Sequence, residues 1–132
     1  MRYMLDTNIC IYLIKKKPQS VIERLRGLSV SEVGISSITL AELLYGVSKS
    51  AQPQKNRDAL EGLLAPLEIA NFDDRAAQCY GVIRAGLERR GAVIGAMDML
   101  IAAHAMSISA ILVTNNTREF ARVEKLVMEN WA

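Results

Sequence analysis

The sequence predicts an α/β domain: a short, mostly parallel β-sheet of four or five strands, flanked by helices on both faces. Three observations carry this prediction. Short apolar runs alternate with longer stretches of helical periodicity along the whole chain. Each run is apolar on both sides, as a strand must be when helices cover both faces of its sheet. The 132 residues, 51% of them hydrophobic, suffice for one sizeable core. Residues 1–132 therefore read as one domain, with no repeat, linker or low-complexity segment.

The elements follow in order. Residues 2–5 read as a buried strand. A helix runs from Thr7 to about Lys17, and Pro18 ends the segment because its ring cannot continue the hydrogen-bond ladder. Residues 20–28 form a second short helix with Glu23, Arg24 and Arg26 toward water. A strand at 33–35 leads into a helix over 37–50 whose inward residues are Ile38, Leu40, Ala41, Leu44 and Val47. Pro53 opens a helix to about Leu64, before Pro66, and residues 67–70 make a third strand. Asp73 or Asp74 caps a long helix through Arg90, and Gly91 stops it. Residues 98–107 are helical, 110–114 a strand, and 126–128 a last short strand.

Composition bounds the function loosely. Aromatics are 5%, so the core is aliphatic, and the net charge of +2 neither marks nor excludes a nucleic-acid partner. Cys10 and Cys79 lie far apart among apolar neighbours and read as buried free thiols in a reducing compartment, with no zinc-like pair. The N-terminal apolar run is broken by Asp6 and Asn8 and has no small-residue cleavage site. No signal peptide, no membrane span and a cytoplasmic location are the expectations. Lys15, Lys16 and Lys17 suit the end of a helix dipole, His104 reads as structural, and the loop at 91–96 lacks phosphate-binding spacing.

The informative residue is Asp6, one carboxylate in the stretch YMLDTNICIYLI. A charge set among so much hydrocarbon needs compensation. In a parallel sheet, the residue after a strand lies at the carboxyl edge, and a helix returning the chain begins there too. Asp6 follows the first strand. Glu42 lies in the first turns of the helix after the second. Asp98 opens a helix, and Asn116 and Glu119 follow the strand ILVT. These acids should converge on one rim, where open α/β sheets place ligands.

Gathered carboxylates repel one another unless some are protonated or a cation joins them. The donors are all oxygens, which favours Mg²⁺ first and Mn²⁺ second. Each acid also has a plain structural role open to it. Asp6 and Asp98 are good helix caps, Thr39 and Glu42 match a capping box, and Glu119 suits a wet surface. Their coincidence on one edge is what favours a site.

These residues resemble the PIN-domain family of metal-dependent ribonucleases, and within it the VapC-type toxins of bacterial toxin–antitoxin pairs. The blocks MLDTNICIYLI, ISSITLAELLYGV, GAMDMLIAAHA and LVTNNTREFARV occur in the family's order and span nearly the whole chain. The resemblance implies catalytic acids at Asp6, Glu42, Asp98 and Glu119, with metal held by Asp6 and Asp98. It implies a polar shell of Thr7, Asn8, Thr114 and Asn116 orienting the acids and a metal-bound water. Many members have aspartate where Asn116 stands, so the charge missing there falls to Glu119 or leaves three acids.

The resemblance further implies an endoribonuclease acting on cytoplasmic RNA, in some members transfer RNA and its initiator anticodon stem-loop. It implies a homodimer, a cognate antitoxin, and a larger assembly with antitoxin on operator DNA. An amphipathic antitoxin helix would find Ile11, Leu13, Leu43, Leu44 or Tyr45, and an antitoxin arginine could reach the rim in place of metal. The alternatives are a structure-specific DNA nuclease, which would normally carry extra helices for threading DNA, and an inactive RNA- or protein-binding module.

Overall fold

The computed structural model describes all 132 residues, Met1–Ala132. Five parallel strands form one sheet: β1 (Tyr3–Leu5), β2 (Val33–Ser36), β3 (Glu68–Ala70), β4 (Ile111–Val113) and β5 (Met128–Glu129), in the order β3-β2-β1-β4-β5. The helices are α1 (Thr7–Lys15), α2 (Gln19–Arg26), α3 (Ser37–Lys49), α4 (Pro53–Leu64), α5 (Asp74–Arg89), α6 (Ala96–Ser107) and α7 (Thr117–Phe120). A single 3₁₀ turn, Val30–Glu32, leads into β2.

Strand alternation sorts the core into two layers. Tyr3 and Leu5 of β1 join Ile9, Val21, Ile35, Leu43 and Leu60 beneath α1–α4. Met4, between them, points the other way and packs with Leu87, Ile101, Ala102, Leu112 and Phe120 beneath α5 and α6. The expected layered arrangement is therefore present, with five strands.

The central strands β1 and β2 are wholly buried, whereas β3 reads exposed, exposed, half-buried. Strands apolar on both sides hold for the middle of the sheet but not for this edge, where one flank has no neighbour to cover it. Gly34 explains how β3 is accommodated. A Cβ on Gly34 would stand 2.5 Å from the Glu68 carbonyl, so β2 and β3 approach closely only because that side chain is absent.

Helix ends follow local chemistry. Asp6, Ser36 and Asp73 each accept a backbone N–H as N-caps of α1, α3 and α5. After α5, Gly91 takes φ +64, and Ala92 N–H returns to the Leu87 carbonyl, closing the helix as its glycine predicts.

Three expectations need correction. The inward face of α3 is Thr39, Leu43 and Val47, with Leu40 and Leu44 flanking and Ala41 exposed. The helix is rotated from the all-apolar phase because the contact face accepts a threonine. Cys79 is only half-buried, although Cys10 is fully buried. Helix α6 starts two residues earlier than expected, capped by Gly95, so Asp98 lies in its first turn rather than at its cap. No helix is long and apolar enough to cross a membrane.

Candidate active site

The strand order reverses between β1 and β4: the chain steps from β1 outward to β3, then returns to lay β4 on the other side of β1. Such a switch point opens a crevice at the carboxyl edge of the sheet. Asp6 directly follows β1 and Thr114 directly follows β4, and the Thr114 hydroxyl donates to Asp6 Oδ2 at 2.5 Å across that crevice. The other oxygen, Oδ1, accepts the Ile9 N–H at 3.0 Å. Asp6 is 4% exposed.

Burial holds the Asp6 carboxyl above the usual carboxylate range. The Thr114 hydroxyl and the backbone N–H groups of Ile9 and Asn8 pull it back, while the Glu42 charge pushes it further up. Capping and site roles thus coexist in one side chain. The Asn8 side chain itself is exposed.

Glu42 comes from α3. The capping box expected with Thr39 does not form. Ser36 caps the helix instead, and Glu42 Oε1 accepts the Thr7 hydroxyl of α1 at 2.5 Å. The bond ties the second acid to the residue that follows the first. Asp98 rises from the first turn of α6, half-buried, with its carboxyl pushed up to about 6. Desolvation is the main cause, followed by the charges of Glu42, Asp6 and Glu119.

Glu119, in α7, receives a long contact of 3.5 Å from the Asn116 side-chain amide, and Asn116 N–H donates to Thr114 Oγ1 at 2.9 Å. The bond from Asn116 reaches Asp6 through Thr114, so the β4–α7 turn orients the first acid. Thr7, Thr114 and Asn116 are therefore bonded within the rim, and Asn8 contributes through its backbone.

As the side chains stand, no three His, Cys, Asp or Glu groups close on one point. The rim is an open set of oxygen donors, which suits a hard cation that keeps several waters and takes one or two carboxylates directly. Thr39, on the inward face of α3, has a buried hydroxyl with no hydrogen-bond partner. The donor chemistry and the mutual repulsion around Asp98 both fit a divalent cation.

Two contacts lay beyond the sequence reading, and a groove extends the surface it anticipated around Ile11 and Leu43. Ser36 Oγ stands 2.7 Å from Nδ1 of the buried His104. Its signal was only a serine between strand and helix. Asn115 is held by Tyr12 and Asn130, beside the rim. A groove of about 300 Å³ runs from Thr7 and Glu42 along Ile11, Gly46, Val47 and Leu60, between α1, α3 and α4.

A five-stranded parallel sheet with carboxylates gathered over its switch point is the framework of a PIN domain. The family model described as "PIN domain" matches residues 3–126, and the chain belongs to that family. Among curated relatives, "Ribonuclease VapC2" of Rickettsia felis is 48% identical over 132 residues, covering 99% of this chain and 98% of the relative. The "tRNA(fMet)-specific endonuclease VapC" of Shigella flexneri is also 48% identical, covering 100% and 99%. A solved structure of VapBC2 from Rickettsia felis, bound to a DNA fragment from its promoter, superposes with TM-score 0.94 at 47% identity over 100% of both chains. Within the PIN domains the chain groups with the VapC-type ribonucleases, the toxins of toxin–antitoxin pairs.

Proposed function

We propose that this VapC-type endoribonuclease hydrolyses RNA phosphodiester bonds at the rim formed by Asp6, Glu42, Asp98 and Glu119, with Mg²⁺ held by Asp6 and Asp98 and Mn²⁺ as a substitute. The supporting observation is the raised carboxyl of Asp98, pushed by burial and by the charges of the other three acids. The four acids come from four separated segments, and a cation among them would relieve the repulsion felt at Asp98.

When bound, such a cation lowers the pKa of a water and offsets charge on the phosphate. The protein's part is placement. Asp6 is locked by Thr114 and the Ile9 N–H, so its oxygens move little. Glu42, held by Thr7, is placed to accept a proton through water, and Glu119 completes the negative rim in place of the charge that Asn116 lacks. Asp98, near 6, is ionised at neutral pH and available to the cation.

Transfer RNA is the substrate class we favour, and initiator tRNA its best-supported member, because a relative of 48% identity over the full chain is named for that specificity. A cognate antitoxin, a homodimer and an assembly on operator DNA follow by the same reasoning, since related complexes were solved on DNA. The groove between α1, α3 and α4 fits an amphipathic antitoxin segment. Its apolar floor includes Ile11 and Leu43, and its acidic end at Glu42 suits an arginine. Leu43 lies at the bottom of this groove and Tyr45, 65% exposed, outside it. A cytoplasmic location follows from the RNA substrate.

The test is cleavage of total RNA with and without chelator, with single-stranded DNA in parallel. Chelator-sensitive cuts in RNA, confined to transfer RNA on sequencing of the ends, support the reading. Cleavage of DNA alone would move it to the nuclease alternative, and no cleavage of either to the binding-module alternative.

A further inference from the structure

We propose that His104 is a positioning residue for the rim: its imidazole, bonded to Ser36, fixes α3, which carries Glu42, against α6, which carries Asp98. The proposal rests on the reading of the rim as the catalytic site.

Ser36 is the last residue of β2 and the N-cap of α3. Its Oγ accepts the Ile38 N–H at 3.0 Å and stands 2.7 Å from His104 Nδ1. A hydroxyl has one proton to give and two lone pairs, so with the Ile38 N–H already accepted Ser36 Oγ still pairs with either tautomer of His104, donating to an unprotonated Nδ1 or accepting from Nδ1–H. Both side chains are buried, Ser36 at 0% and His104 at 1% exposure.

Neighbouring bonds close the same junction. The Phe72 ring meets the imidazole edge-on at 5.5 Å, and the Phe72 N–H donates to Ser37 Oγ at 3.0 Å. The charged group whose field reaches the ring is Asp73, and burial outweighs it, so the imidazole is held toward its neutral form.

This bond matters because little else of a directional kind joins the two helices. Apart from His104, the buried face of α6 is apolar: Met99, Ile101, Ala102, Ala103 and Ala105. Thr39, the polar residue on the inward face of α3, has no partner. Small apolar contacts tolerate sliding, whereas a 2.7 Å hydrogen bond does not. Because Glu42 rides on α3 and Asp98 on α6, a slide of one helix past the other changes the spacing of these two acids.

The experiment compares His104→Ala, His104→Asn and Ser36→Gly. Asparagine can place an acceptor near the position of Nδ1, and glycine keeps most of the helix-cap stability while removing the hydroxyl. The readouts are kcat and KM on RNA, Mn²⁺ affinity by calorimetry, and thermal melting to confirm that each variant is folded.

His104→Ala should lower kcat by about tenfold or more with KM little changed, and weaken Mn²⁺ binding several-fold. His104→Asn should restore both to within about threefold of the parent. If His104→Ala does not fold, Ser36→Gly carries the test from the other side of the bond. Parent-like kcat and Mn²⁺ affinity in the folded variant that lacks the bond overturns the proposal, as does an equal loss in His104→Ala and His104→Asn. A parallel Asp6→Asn arm keeps the two readings apart. An inactive Asp6→Asn with an unaffected His104→Ala removes only the positioning role, whereas an active Asp6→Asn removes the rim itself.

Discussion

Asp6 serves two partners with its two oxygens, one capping α1 through Ile9 and one bonded to Thr114. Asparagine caps a helix about as well as aspartate, so Asp6→Asn should stay folded, with a melting temperature at or above the parent's, because a buried charge disappears. It should also abolish RNA cleavage, measured at matched protein concentration. Thr114→Val removes the hydroxyl that restrains Oδ2 and leaves Asn116 N–H without its acceptor. Its expected result is weaker Mn²⁺ binding in a calorimetric titration.

Protonation at Asp98 gives a pH signature. Its folded pKa, about 6, lies above the ordinary aspartate value of 3.8, so the native state binds the proton more tightly than the unfolded chain. In metal-free protein this group therefore adds stability as pH falls from 6 toward 3.8 and subtracts it above 6. Metal competes with that proton. Mn²⁺ affinity should decline as pH drops through about 6, and the decline attributable to this group should vanish in Asp98→Asn. His104 acts in the opposite sense. Its pKa is lowered from 6.5, so its contribution is complete above 6.5 and is lost as pH falls through the folded value.

At the level of elements, the rim draws mostly on helix and strand ends, with Glu42 added from the second turn of α3. Asp6, Thr114 and Ser36 all sit at strand ends, and Asp98 in a first helical turn. That arrangement was legible because strand ends in a parallel sheet share an edge whatever the side chains do. The phase of α3 was not legible. Periodicity favoured Ala41 inward, but the contact with the sheet and α6 buried Thr39, and a polar residue at an inward position carries no apolar signal. Gly34 lies where β2 passes close to the Glu68 backbone of β3. Gly34→Ala should destabilise the fold by about 1–3 kcal/mol, since the obstacle is the Glu68 backbone, read as a lower urea midpoint with unchanged slope.

For the whole molecule, metal should couple site to fold. A cation that binds the native rim and not the unfolded chain raises stability by mass action, about 2.7 kcal/mol at one hundred times its Kd. Millimolar Mg²⁺ should therefore raise the melting temperature of the parent and leave Asp6→Asn unmoved, in a thermal melt run with and without chelator. An equal shift in both proteins would place the binding elsewhere.

The amino-acid sequence by itself determined the layered α/β class and the alternation of elements, because strand period, helix period and capping chemistry are local. Its ordered motif blocks also pointed to the family that the comparisons then showed. Only the tertiary structure decided that β1 and β4 meet at the switch point, that Thr7 holds Glu42, and that Ser36 and His104 join across 68 positions. Those pairings depend on strand order and on the rotation of packed helices, which no stretch of chain encodes alone.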